Sequence, residues 1–248
     1  MITSVGVLIP ARDEESTLPA CLHALAAALR GLPPELERRV CVVADRCRDH
    51  TAESARGAGA EVLVNARDLT IGAIRALGAR HLLHGLDQHA SARTLLLSTD
   101  ADTLVDRDWA ARHVRRADAG WDAVAGTAKL SSSLAAAAQP RYEALLADER
   151  SPAGHGNVYG ANLSIRASAY RAVGGFLPIR TAEDHDLWRR LAHAGFRLAS
   201  SESGGRKAHL SCQARATRSS LPQQKLFIRH ERLSPTDSSM LDLRIKSQ

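Results

Sequence analysis

Four short runs rich in apolar and β-branched residues, at 5–9, 40–44, 61–64 and 94–97, are separated by stretches each long enough for a helix. Runs of four or five such residues between turn formers read as buried strands. Strands that alternate with helices pair in parallel, because each crossover helix returns the chain to the same end of the sheet. The intervening stretches fit this reading. Leu18, Leu22, Leu25 and Leu29 fall on one helical face, and a second helix is expected over 71–83. Shorter runs at 123–126 and 163–166 extend the sheet, with weaker alternation after 126 and a helical stretch at 134–146. The expected fold is α/β, a Rossmann-like mixed and mostly parallel sheet flanked by helices.

Such a sheet binds ligands outside the carboxyl ends of its strands, and acids stand there in this sequence. The run at 94–97 passes through Ser98 and Thr99 into Asp100-Ala101-Asp102. Two residues apart on an extended strand end, the carboxylates share one face while Ala101 turns away. They repel each other unless a proton or a cation lies between them. A hard divalent ion, Mg²⁺ or Mn²⁺, held by carboxylates and phosphate oxygens, suits the pair. A lone D-x-D is more often an acidic turn, so the rest of the chain has to decide.

Asp45 leaves the second run and could accept from a nucleobase imide N–H, while Asp49 and Thr51 suit the cap of the next helix. Arg75 lies in the first turns of the helix at 71–83, near a helix N-terminus that suits phosphate; an exposed arginine without a role is the bland alternative. Cys47, between two arginines, reads as a small loop residue ahead of an acidified thiol. The loop at 154–162 is dense in glycine, and Glu183, Asp184, His185 and Asp186 open a helix closed by Gly195. Helix capping explains one or two of those four side chains.

Composition removes other classes. Aromatic residues make up 4% of the 248, too few for a stacking platform along single-stranded nucleic acid. The net charge of +6 resides in residues 204–248, which hold nine Lys or Arg against three acids; the preceding 203 residues are neutral. That end is expected to be a basic, poorly ordered tail suited to contact with anionic lipid. The four cysteines form no C-x-x-C pair and read as free thiols in a reducing compartment. With no leader at the N-terminus and no apolar stretch near the roughly 18 residues of a membrane span, a cytoplasmic location is expected, with peripheral contact at the inner face of the membrane. G-x-G-x-x-G is missing from the first strand-to-helix turn, and G-x-x-x-x-G-K-[ST] is missing throughout.

Five elements in order resemble glycosyltransferase family 2, nucleotide-sugar enzymes with the GT-A fold. Val7-Leu8-Ile9-Pro10-Ala11-Arg12-Asp13-Glu14-Glu15 is similar to the opening I-P-A-x-N/D-E-E, and the stretch from Val42 to Thr51 is similar to V-V-D-D-x-S-x-D-x-T. Asp100-Ala101-Asp102 matches the D-x-D, Gly160-Ala161-Asn162 with Gly174-Gly175-Phe176 the acceptor-side element, and Glu183-Asp184 the E-D.

The resemblance implies an inverting transferase that moves one sugar from a nucleoside-diphosphate sugar to an acceptor hydroxyl of unknown identity. A divalent cation, Mn²⁺ or Mg²⁺, is its implied cofactor, and nucleic acid is not a partner. Pro10, Ala11, Arg12, Glu14, Asp45, Arg75, Asp100 and Ala101 would face the donor. Asp102, with Asp100, would hold the metal, and Asp184 or, second, Glu183 would be the general base. Gly160, Ala161 and Asn162 would face the acceptor. The transferase domain would span 1–203, as a nucleotide-sugar half at 1–126 and an acceptor half at 127–203. Two departures stand out: Ala44 occupies the first position of the usual acid pair, and the Q/R-x-x-R-W element of processive synthases is absent. Rival readings are a metal-dependent nucleotidyltransferase and a catalytically impaired sugar-nucleotide-binding module. For the unfamiliar ending, a basic lid with His209 nearing the metal competes with a reading-frame change.

Overall fold

The computed structural model describes residues 1–86, 91–130, 150–151, 154–155, 158–200 and 211–214, and in it the first apolar run becomes β1 (Ser4–Ala11). Then follow α1 (Leu18–Arg30), β2 (Glu37–Asp45), α2 (Thr51–Gly57), β3 (Glu61–Asn65), α3 (Ile71–Gly85) and β4 (Thr94–Ser98). After β5 (Thr103–Val105), α4 (Trp109–Asp118), β6 (Ala123–Ala125) and β7 (Thr127–Leu130) come a short hairpin, β8 (Arg150–Ser151) with β9 (Gly154–His155), and a 3-10 turn at Gly160–Asn162. β10 (Leu163–Arg166), α5 (Ala167–Ala172), α6 (Glu183–His193), β11 (Leu198–Ser200) and β12 (Ser211–Ala214) complete the described elements.

Seven strands form the main sheet in the order β11-β6-β10-β4-β1-β2-β3. Its pairings are parallel except those of β10, which runs antiparallel to both β4 and β6. The fold is α/β, a mixed and mostly parallel sheet flanked by helices. β1 has β2 on one side and β4 on the other, so the chain switches direction of winding at the carboxyl end of β1, the place where open α/β sheets bind their ligands.

Alternation along β1 divides the core into two layers. Val5, Val7 and Ile9 pack with Leu18, Leu22 and Leu25 of α1 and with Trp109 of α4. Leu8 points to the other layer, with Ile74 and Leu82 of α3 and Leu187 of α6. Each large side chain so buried contributes about 1.5–3 kcal/mol. On α3 the inward stripe is Gly72, Arg75, Gly78, Ala79 and Leu82, at helical spacing. Gly78 lets the helix lie close, since a Cβ there would overlap Leu8.

The structure corrects several local expectations. Asp100 and Asp102 do not share one face of an extended strand end: β4 stops at Ser98, and the two acids sit in a turn closed by Thr103 N–H donating to Asp100 O at 3.1 Å. Thr17, the N-cap of α1, turns its hydroxyl to the Glu14 side chain instead of to the helix amides. Ser211–Ala214, inside the stretch expected as a tail, forms β12 between β5 and β7; four residues are too few to show a period. The chain divides into two units, Met1–Ala216 and Thr217–Gln248, and the second lies outside the described residues, as does the helix expected at 134–146. No helix among the described residues is long and apolar enough to cross a membrane.

Candidate active site

The loops leaving β1 and β2 are laced to each other by backbone amides. Arg48 N–H donates to Asp13 Oδ1 at 2.7 Å, and Glu15 N–H donates to Asp49 Oδ2 at 3.0 Å. Glu14 N–H donates to Thr51 Oγ1 at 2.8 Å, and His50 N–H to Glu15 Oε2 at 2.9 Å. Asp13 and Arg46 take left-handed backbone angles, φ 53° and 51°, at the two corners. Such angles cost a non-glycine residue about 1–2 kcal/mol and are kept where surrounding bonds over-determine them. Asp13, Cys47 and Asp49 bring one ligating atom each within 4.8 Å. Their carboxylates already accept these loop amides and Thr51, and burial pushes the Cys47 thiol up, so the cluster serves the lacing and the thiol is not acidified.

Asp45, at the end of β2, is buried, and its Oδ1 accepts from Asn65 Nδ2 at 2.7 Å. Asn65 itself is held by Arg67, donating to its carbonyl and accepting from its amide. Arg46 reaches Asp45 at 3.5 Å and Asp68 at 2.8 Å. Sequence reasoning missed Asn65; its position at the end of β3, beside Asp45 in register, was the available signal.

At the neighbouring strand end stand Asp100, Asp102 and Glu14. Burial, then Asp100 and Glu14, push the Asp102 carboxyl up to about 7. Burial likewise raises Glu14, with Asp100 adding to the effect. These acids repel one another, and their hard oxygens could contribute to an Mn²⁺ or Mg²⁺ site, though they are not drawn within 4.8 Å of one another as Asp13, Cys47 and Asp49 are. Cys21 buttresses the turn from α1, its thiol donating to Asp100 O at 3.4 Å.

On the other side, Asp184 Oδ2 accepts from Gly160 N–H at 2.7 Å and Oδ1 from His185 N–H at 2.8 Å. Burial pushes the Asp184 and Glu183 carboxyls up, and the Arg75 guanidinium opposes it in both. Ala182, immediately before them, has φ 64°. Arg75, expected to face phosphate from the start of α3, is instead buried, with its Nε 2.9 Å from Glu183 Oε1 and its Nη2 2.7 Å from Asp100 Oδ1. The first amides of α3 are likewise taken: Gly72 N–H donates to Ile179 O at 3.2 Å.

Asn162, expected toward the acceptor, is fully buried. Its Oδ1 accepts from Trp109 Nε1 at 2.9 Å and lies 3.0 Å from His113 Nε2, while its Nδ2 donates to Thr127 O at 2.9 Å. Gly160 and Ala161 are buried beside it, and Gly160 meets Asp184 through its backbone N–H. Pro10 and Ala11 end β1, and Arg12 is exposed beyond them.

Asp45, Asp100, Asp102 and Asp184 therefore lie along one edge of the sheet, because antiparallel β10 starts where β4 and β6 end: Leu163 pairs with Ser98 and with Ala125. A separate open cavity of about 550 Å³ between α5 and α6, lined by Asp186, Arg189, Arg190 and His193, contains none of these acids.

Residues 3–204 match the family described as glycosyltransferase like family 2. None of the curated proteins matches. Among solved structures, the chain is similar to the mannosyltransferase PcManGT of Pyrobaculum calidifontis, solved with GDP-Man and Mn²⁺: TM-score 0.65, 18% identity, 86% of this chain and 57% of that one. It is similar to TarS of S. aureus with UDP-GlcNAc, at TM-score 0.59, 13% identity, and 86% and 59% coverage. It is also similar to glucosyl-3-phosphoglycerate synthase of Mycobacterium tuberculosis with Mn²⁺, UDP and phosphoglyceric acid, at TM-score 0.60, 17% identity, and 91% and 75% coverage. The chain spans less than two-thirds of the length of the first two.

Proposed function

Because the chain belongs to glycosyltransferase like family 2, we propose that it moves one sugar from a nucleoside-diphosphate sugar to an acceptor hydroxyl, inverting the anomeric carbon. The observation that carries this reading is the pairing of two acid groups across one sheet edge: Glu14, Asp100 and Asp102 on one side, and Asp184, held by the Gly160 amide, on the other.

In this reading Asp45, oriented by Asn65, accepts from a ring N–H of the base. Asp102 and Asp100, with Glu14 near, hold a divalent cation. That cation, when bound, neutralises charge developing on the departing diphosphate. The acceptor oxygen bonds to the anomeric carbon as the bond to the diphosphate breaks, and the acceptor proton passes to Asp184. A positioned base of this kind is worth roughly 10²–10⁴-fold. Asp184 suits the role better than Glu183, since Glu183 is 6% exposed and ion-paired to Arg75. Its raised proton affinity also favours taking a proton from the acceptor.

The test is calorimetric titration of UDP and GDP with Mn²⁺, beside turnover of a donor panel that includes UDP-GlcNAc and GDP-Man. Asp184→Asn should lose at least about 100-fold in transfer and keep nucleotide affinity. Retained transfer with weakened nucleotide binding would remove Asp184 as the base.

A further inference from the structure

We propose that Arg75 is a positioning residue that fixes the acid turn after β4 to the peptide holding Asp184, and that it is not a ligand of the donor phosphates. This rests on the transferase reading above. One guanidinium, 5% exposed, bridges three segments remote in sequence. Nε donates to Glu183 Oε1 at 2.9 Å, Nη2 to Asp100 Oδ1 at 2.7 Å, and Nη1 to Ser98 Oγ at 2.6 Å and Gly160 O at 3.4 Å. A phosphate is bound best by two parallel N–H groups of one fork. Here the Nε and Nη2 edges go to two different carboxylates, so no such fork is left over for a donor.

Gly160 is the junction. Its carbonyl faces Arg75 while its N–H holds Asp184 Oδ2 at 2.7 Å. A Cβ on Gly160 would come within 2.5 Å of Arg75 Nη2, so the missing side chain is the clearance the guanidinium needs. Any displacement of Arg75 therefore reaches the proposed base through one peptide and reaches Asp100 directly. Lysine keeps the charge but cannot span these acceptors, because an ammonium is a point donor on a flexible stem.

The experiment compares wild type, Arg75→Lys, Glu183→Gln and the double variant. It measures UDP and GDP affinity with and without Mn²⁺, donor turnover, and amide hydrogen exchange. Arg75→Lys should lower kcat about 100-fold, the scale of a misplaced catalytic group, with nucleotide affinity measured without Mn²⁺ changed by less than about threefold and only the added affinity due to Mn²⁺ reduced, through Asp100. Glu183→Gln should show the same division, and the double variant should lose little more than Arg75→Lys alone. A loss of about tenfold in nucleotide affinity with kcat kept would make Arg75 a phosphate ligand and overturn the proposal. Parallel losses of binding, kcat and thermal stability would also overturn it, as a purely structural role. Exchange at the Gly160 amide gives a readout independent of any substrate: it should quicken about tenfold in Arg75→Lys with β1 and β2 unchanged, and unchanged exchange would overturn the proposal. A wild type that binds and turns over no donor would instead refute the transferase reading, leaving the exchange result to judge Arg75.

Discussion

Ionising Asp102 works against the fold. Its carboxyl is raised from 3.8 to about 7, so between those values the folded protein binds more protons than the unfolded chain. Stability therefore falls as pH rises through this window, and the full cost is present above it. In metal-free protein at pH 8, Asp102→Asn should raise stability by roughly 4 kcal/mol, and at pH 4 by well under about 1 kcal/mol. Thermal unfolding at the two pH values checks this. Mn²⁺ with a nucleoside diphosphate should reverse the sign, because the variant forfeits a ligand that the bound state stabilises. Asp45, at the neighbouring β2 end, accepts from the Asn65 amide and stands 3.5 Å from Arg46.

At the scale of elements, the entry to α6 stores strain. Ala182 at φ 64° precedes Glu183 and Asp184, and alanine pays about 1–2 kcal/mol for that angle. Ala182→Gly should stabilise the protein by about 1 kcal/mol in denaturant unfolding and lower turnover, since the chain then enters the helix less firmly. Gly72 is the opposite case: a Cβ would overlap the Leu177 carbonyl oxygen. Gly72→Ala should cost about 1–3 kcal/mol by pushing the 177–179 segment off α3. The strands were legible because a buried parallel strand is an apolar run whatever surrounds it. The turn holding Asp100 and Asp102 was not, since it is set by nonlocal bonds such as Thr99 N–H to Leu8 O. Arg75 was legible in principle: three residues after Gly72 and three before Gly78, it stands on the inward stripe. A charge there signalled a buried network, but its partners lie 25, 85 and 108 residues away and no local pattern names them. Asn162 was misread for the same reason, as Trp109 and His113 approach it only across the fold.

For the whole molecule, the two core layers meet a polar seam where His113, fully buried, lies 2.8 Å from Ser164 and 3.0 Å from Asn162. Burial lowers it from 6.5 to about 4, so between these values the unfolded chain binds the extra proton and stability falls as pH falls. Asp102 contributes the opposite slope in an overlapping range, so the net curve conceals both. The difference between wild type and His113→Gln isolates the histidine: it should shrink by about 2 kcal/mol from pH 6.5 to pH 5. A constant difference across that range would mean that folded His113 takes up its proton over the same range as the unfolded chain does. The lone reversed strand, β10, has its own outcome. Every other strand of the main sheet meets the reactive edge as the chain departs, and only this one meets it on arrival. A change of length in the segment ahead of Gly160 can thus be absorbed before β10 begins, leaving its register with β4 and β6 in place.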